Sequence, residues 1–126
     1  MNNTTPDMKP AVPILRMFDI DKTKQFYLEF LEFQLDWEHR FEEGLPLYMQ
    51  ISCGGCVLHL SEHFGDCSPG AAIRIETTHV EALHSRLLAK QYKYARPGLE
   101  TAPWGSKEIR LTDPSGNRIV IYENVN

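Results

Sequence analysis

The side chains able to do chemistry in this chain are five histidines, three cysteines and a scatter of carboxylates. His39, His59 and His63 are chemically adequate for zinc or nickel. However, His59 and His63 straddle the end of one predicted strand, and His39 lies on another whose register is open. His59 therefore reads as a hydrogen-bonding group, and the other two as surface or interface residues. Cys53-Gly-Gly-Cys56 has the spacing of a redox pair or metal knuckle. A thioredoxin-type pair sits between a strand and a helix. This one sits between two apparent strands, with Gly54-Gly55 as the natural hairpin turn, so the cysteines read as small residues flanking a turn. Asp19 and Asp21 fit helix capping better than paired acid and base. Gly65-x-x-x-x-Gly70 lacks the Lys-Ser/Thr of a phosphate loop. Ser61 has no Ser-His-Asp context, and no nucleophile elbow or zincin helix occurs.

The elements that must position these groups follow from hydrophobic period. Residues 11–18 are apolar and predict a strand. Phe26, Tyr27, Phe30 and Leu31 then recur at helical spacing. Residues 33–41 alternate, with Leu35, Trp37, His39 and Phe41 on one face and Gln34, Asp36, Glu38 and Arg40 on the other. Residues 47–52 and 56–62 predict two more strands, and 63–70 a loop. The order then repeats. Residues 71–76 predict a strand, and Thr77 or Thr78 caps a helix with Val80, Leu83, Leu87 and Leu88 on its apolar face. Residues 92–95 predict a short strand, 97–103 a loop, and 104–112 and 118–123 the last two strands. Asp113-Pro-Ser-Gly-Asn117 between them is a strong turn signal. The reading is α+β, with two βαβββ modules. Residues 1–10 form a flexible segment and 11–126 one domain, with module one at 11–62, the loop at 63–70 and module two at 71–124. One helix covers only one face of a four-stranded sheet. Two such sheets that curl toward each other leave a concave cavity for a ligand.

Composition excludes several classes. With 126 residues, 42% hydrophobic and 24% charged, the chain suits one globular domain. The net charge is −4 and Lys and Arg are scattered, which argues against nucleic-acid binding and is compatible with a cationic small ligand. No apolar run approaches roughly 18 residues, so no transmembrane helix is expected. The N-terminus does not read as a signal peptide, which makes the cytosol the default. Three cysteines do not suggest a disulfide framework.

An ordered set of motifs spans residues 11–124. It comprises Phe26-Tyr27, Leu31-x-Phe33, Leu58-His59-Leu60-Ser61, Pro103-Trp104-Gly105 and Asp113-Pro114-x-Gly116-Asn117. It resembles the glyoxalase/bleomycin-resistance/dioxygenase (vicinal oxygen chelate) superfamily, and its bleomycin-resistance branch in particular. Glu32 departs from the pattern, since the family often has Gly after the first helix. The resemblance implies curved mixed sheets around a concave cavity and, usually, a homodimer whose grooves hold a bulky cationic glycopeptide without altering it. Metal-dependent relatives place His, Gln or Glu on the first and fourth strands of each module. Those places fall here on Val12 and His59, then on Ala71 or Ala72 and Val120. His59 alone carries a donor, so no metal and no cofactor are expected, and binding is favoured over catalysis. The alternatives are a metal-dependent lyase, dioxygenase or thiol transferase of the same superfamily, or a binder of an endogenous metabolite.

With His59 facing the cavity, alternation puts Val57 and Ser61 beside it, along with Val12, Ile14 and Arg16 on the first strand. Arg118, Val120 and Tyr122 of the last strand face the same way, while Leu58, Leu60, Ile109, Leu111, Ile119 and Ile121 pack in the core and leave Glu108 and Arg110 opposite. Aromatic walls from Trp37, His39, Tyr48 and Trp104 would stack on a planar ligand, and Glu38, Glu108 or Asp66 would attract its cationic tail. A cation over such a ring gains about 0.5–2 kcal/mol. The expected ligand-binding set is Arg16, Trp37, His39, Tyr48, His59, Ser61, Trp104, Arg110 and Tyr122. The expected partners are a bleomycin-like small molecule and a second copy of the chain, with no nucleic acid and no membrane.

Overall fold

The computed structural model describes residues 4–125. Residues 1–3 of the expected flexible segment, and residue 126, lie outside them. Residues 4–12 are exposed and carry no regular element. The first module runs β1 (Ile14–Arg16), α1 (Ile20–Lys24) with a π-helical continuation (Gln25–Phe30), β2 (Gln34–His39), β3 (Tyr48–Cys53) and β4 (Cys56–Ser61). The second runs β5 (Ala72–Glu76), α2 (Val80–Ala89), β6 (Leu99–Thr101), β7 (Ser106–Thr112) and β8 (Arg118–Asn124). Each module forms a four-stranded mixed sheet, ordered β1-β4-β3-β2 and β5-β8-β7-β6. β1 runs parallel to β4 and β5 to β8, and the remaining pairs are antiparallel. Both sheets keep two free edges, so neither closes into a barrel. The expected α+β class with two βαβββ modules is what the chain adopts.

The inner faces of both sheets meet in one core. Leu15, Met49, Ile51, Leu58 and Leu60 come from the first sheet, and Ile109, Leu111, Ile119 and Ile121 from the second. Phe26, Tyr27 and Phe30 enter it from the first helix. Fully burying side chains of this size contributes about 1.5–3 kcal/mol each. Asp19 caps α1 as expected, its Oδ1 accepting from the Lys22 N–H at 2.9 Å. Glu32, at the family's glycine position, adopts a left-handed φ of 62° and is held there by Arg86 and Lys90.

Five expectations need correction. β1 covers three residues, not eight: Ala11 and Val12 are exposed, and Pro13 and Met17 each keep a single backbone bond to β4 outside the regular ladder. β2 contains a bulge between Leu35 and Trp37, which breaks the alternation: Leu35 packs against the core opposite Ile51, whereas Trp37 and His39 pair with Gln50 and Tyr48 on the outer face. No strand forms at residues 92–95. Tyr92 instead stacks on Phe30 (4.6 Å between ring centres, 25° between planes), and strand pairing passes to Leu99–Thr101, within the expected loop. Neither Thr77 nor Thr78 caps α2. The cap position is His79, with a left-handed φ of 55° and no side-chain cap, and the Glu123 carboxylate of β8 accepts from the His79 and Val80 N–H groups, both at 3.1 Å. Leu88, expected on the apolar face, is exposed. Among the described residues no helix is long and apolar enough to cross a membrane.

The Asp113–Asn117 turn joins the modules. Asp113 is buried and accepts from the Tyr27 hydroxyl at 2.6 Å, from the Ser115 and Asn117 N–H groups and from the Asn117 side chain. Asn117 Nδ2 also donates to the Arg16 carbonyl at 2.8 Å. Burial and the adjacent Asp113 charge push the Tyr27 hydroxyl far above its ordinary range.

Candidate functional site

The strand registers order the outer face of the first sheet into rows. Arg16, Ser61, Tyr48 and His39 lie side by side, and so do Ile14, His59, Gln50 and Trp37. Six of the nine expected ligand residues therefore meet on one face. Trp37 stacks on Tyr48 (5.9 Å, 12°), and His59 meets both rings edge-on, 5.4 Å from Trp37 and 5.1 Å from Tyr48. His39 packs against Phe41, and Phe41 against His63.

A hydrogen-bond chain fixes this aromatic group. Ser52 Oγ and Gln50 Nε2 both donate to the Asp36 carboxylate at 3.0 Å. Gln50 thereby presents its Oε1 to His59 Nε2 at 3.0 Å, which assigns the proton of His59 to Nε2. Nδ1 is then the acceptor for the Tyr48 hydroxyl at 2.5 Å. Burial lowers the His59 pKa below its usual 6.5, so the ring is neutral at pH 7, as this pattern requires. Ser61 is fully buried and donates to Asp66 at 2.6 Å. Its oxygen also accepts from the His63 N–H.

The other three expected residues gather on the second sheet around Glu108, whose side chain is fully buried. Arg74 (2.9 Å), Ser106 (2.7 Å), Arg110 (3.1 Å) and the Trp104 indole N–H (3.3 Å) all donate to its carboxylate. The Arg74 bond above all, followed by that of Ser106, holds the Glu108 carboxyl down at about 2. The Arg74 guanidinium lies 4.2 Å from the ring centre of Tyr122. Trp104 stands just before β7, not within it, and is exposed. Among the described residues, no hydrogen bond or ion pair joins the two groups.

The carboxylates expected to attract a cationic tail are already engaged: Glu38 pairs with Lys24, Glu108 with two arginines, and Asp66 takes the Ser61 hydroxyl. Sequence reasoning missed Gln50, Asp36 and Arg74. Gln50 shares the parity of Tyr48 and could have been found that way. Asp36 could not, since the bulge that turns it toward Gln50 leaves no mark in the sequence. A cleft of about 920 Å³ lies elsewhere, between the Cys53–Cys56 hairpin, β5 and α2. It is lined by Phe33, Val57, Ile73, Ile75 and Leu83 among others, and by none of the nine expected residues.

The family's metal position does not suit this chain. The residue in register with His59 is Ile14, and Val120 stands between Arg74 and Arg110. Hydrocarbon and guanidinium groups cannot supply the roughly three protein ligands that a catalytic divalent ion takes. Among the described residues, no three His, Cys, Asp or Glu side chains come together in a way that would hold a metal ion.

Comparison with known proteins agrees with this architecture. TnmS3, an antibiotic binding protein from Streptomyces sp. CB03234, superposes with a TM-score of 0.73 at 23% identity, over 95% of this chain and 99% of that one. A bleomycin resistance determinant encoded on the transposon Tn5 gives 0.71 at 22% identity, over 93% and 98%. Lactoylglutathione lyase from Agrobacterium tumefaciens gives 0.69 at 16% identity, over 94% and 96%. No curated protein matches the sequence. The family model of glyoxalase superfamily proteins matches residues 5–126. With the order of elements, the sheet topology and that match in agreement, the chain belongs to the glyoxalase superfamily.

Proposed function

We propose that this protein is a bleomycin-resistance-like binder that sequesters a cationic, aromatic antibiotic without transforming it. The observation that carries the reading is the Trp37–Tyr48–His59 wall: rigid, uncharged and open on the outer face of a sheet. Trp37 is 43% exposed, which leaves ring surface for a planar guest. Both nitrogens of His59 and the Ser61 hydroxyl are already hydrogen-bonded, so neither is free to act as base or nucleophile. The Asp36 carboxylate at the edge of the wall accepts from the neutral Gln50 and Ser52 side chains and pairs with no cation among the described residues, so its charge is open to a cationic group. The likeness to antibiotic-binding folds lends support at the level of architecture alone.

The protein acts in the cytosol as a homodimer in this reading. Two ligand-facing groups on separate faces of one chain suit an arrangement in which a second copy covers each of them. Light scattering is expected to give twice the 14.5 kDa chain mass.

Titration with bleomycin tests the proposal. Saturable quenching of tryptophan fluorescence is expected, with measurable heat and with drug recovered unchanged by mass spectrometry. Trp37→Ala is expected to weaken binding by at least about 1 kcal/mol, roughly fivefold. No quenching and no heat would sink the drug assignment. A host that expresses the protein yet stays fully susceptible, while the purified protein binds other planar aromatics, would instead favour an endogenous metabolite.

A further inference from the structure

The polar groups of the aromatic face form a closed set. Tyr48 donates to His59, His59 to Gln50, Gln50 and Ser52 to Asp36, and Ser61 to Asp66. Among the described residues, one buried donor is left without a partner. Nη1 of Arg16 is buried and has no hydrogen-bond partner. Arg16 stands in the same row as Ser61 and Tyr48, and one register step from His59. Among the described residues, no carboxylate lies within ion-pair distance of it.

The guanidinium has a ring beside it, and the backbone that carries it is tied down. Its Cζ sits 4.9 Å from the ring centre of Phe18, and the Arg16 carbonyl is fixed by Asn117 of the other module. The second sheet provides a contrast, since there the chain supplies Glu108 to both Arg74 and Arg110. A buried N–H that lacks an acceptor bears its full desolvation cost, and a bond from a charged donor to an incoming oxygen is about twice as strong as a neutral one.

We propose that Arg16 is the polar anchor of the site, and that the ligand is a planar aromatic molecule carrying an oxygen acceptor, most strongly a carboxylate. The acceptor seats on Arg16 while the ring stacks on Trp37. This rests on the binding reading above and adds the chemical class of the guest. The acceptor also tells the guest's ends apart, because the opposite edge of the wall offers a carboxylate, Asp36.

Three probes of one shape test it: 2-naphthoate, 2-methylnaphthalene and 2-naphthylmethylammonium, titrated by tryptophan quenching. Wild-type protein is expected to bind naphthoate at least tenfold tighter than methylnaphthalene, and tighter than the ammonium. Arg16→Met should bring naphthoate to within about twofold of methylnaphthalene, with a wild-type circular dichroism spectrum and urea midpoint reporting that the variant is folded. Arg16→Lys should restore part of the preference. Equal wild-type affinity for all three probes, with quenching intact, overturns the role of Arg16 but not the stacking wall. A naphthoate preference that survives Arg16→Met overturns it as well. No binding by any probe, nor by bleomycin, overturns both readings.

Discussion

His59 and Glu108 are held in opposite charge states by opposite means, and acid should affect each in its own range. Burial lowers the His59 pKa below 6.5, so the unfolded chain binds more protons than the folded one just under that pH. Stability contributed by neutral His59 is therefore complete above pH 6.5 and declines as pH falls below it. Urea unfolding at pH 7.5 and pH 5 is expected to show this decline in the wild type and a smaller one in His59→Gln. Glu108 is lowered from 4.5 to about 2. Its contribution is complete above about pH 4.5 and is lost as pH falls toward 2. Glu108→Gln should flatten this acid limb and cost about 1–3 kcal/mol at neutral pH, measured by the same unfolding. Sequence alternation separated Arg16, His59, Val120 and Tyr122 from the core face, where Ile119 and Ile121 lie. It did not reveal the partners that fix their charge states, because Gln50 and Arg74 become neighbours only through cross-strand register.

The elements were legible where one periodicity acted alone. The first helix was read from Phe26, Tyr27, Phe30 and Leu31, all of them buried, and the Cys53–Cys56 hairpin from its two glycines. Competing interactions hid the rest. Tyr92 has strand character, yet stacking on Phe30 draws its segment to the helix side, and sheet pairing falls to residues 99–101. Thr77 and Thr78 have the chemistry of caps, but the cap comes from Glu123. Glu123→Ala is thus expected to destabilise the protein by about 0.5–2 kcal/mol in thermal or urea unfolding. Thr78→Ala should stay within about 0.5 kcal/mol of wild type. The reverse ranking would show that the threonines do the capping.

At the scale of the molecule, the Asp113–Asn117 turn does more than reverse the chain, since it bonds the first helix and β1 to the second sheet. Tyr27→Phe removes one hydrogen bond to a buried carboxylate and is expected to cost about 1–3 kcal/mol, read as a lower urea midpoint. The two-module plan could be read from the repeated order of elements. The division of the ligand residues into two groups could not, because nothing local in a sequence says which sheet faces will share a core. The cap on α2 has a further consequence. The residue that finishes this helix arrives more than forty positions after the helix begins. The first turn of α2 therefore gains its acceptors only when the last strand is in place, so its amides are expected to exchange with solvent as readily as β8 detaches.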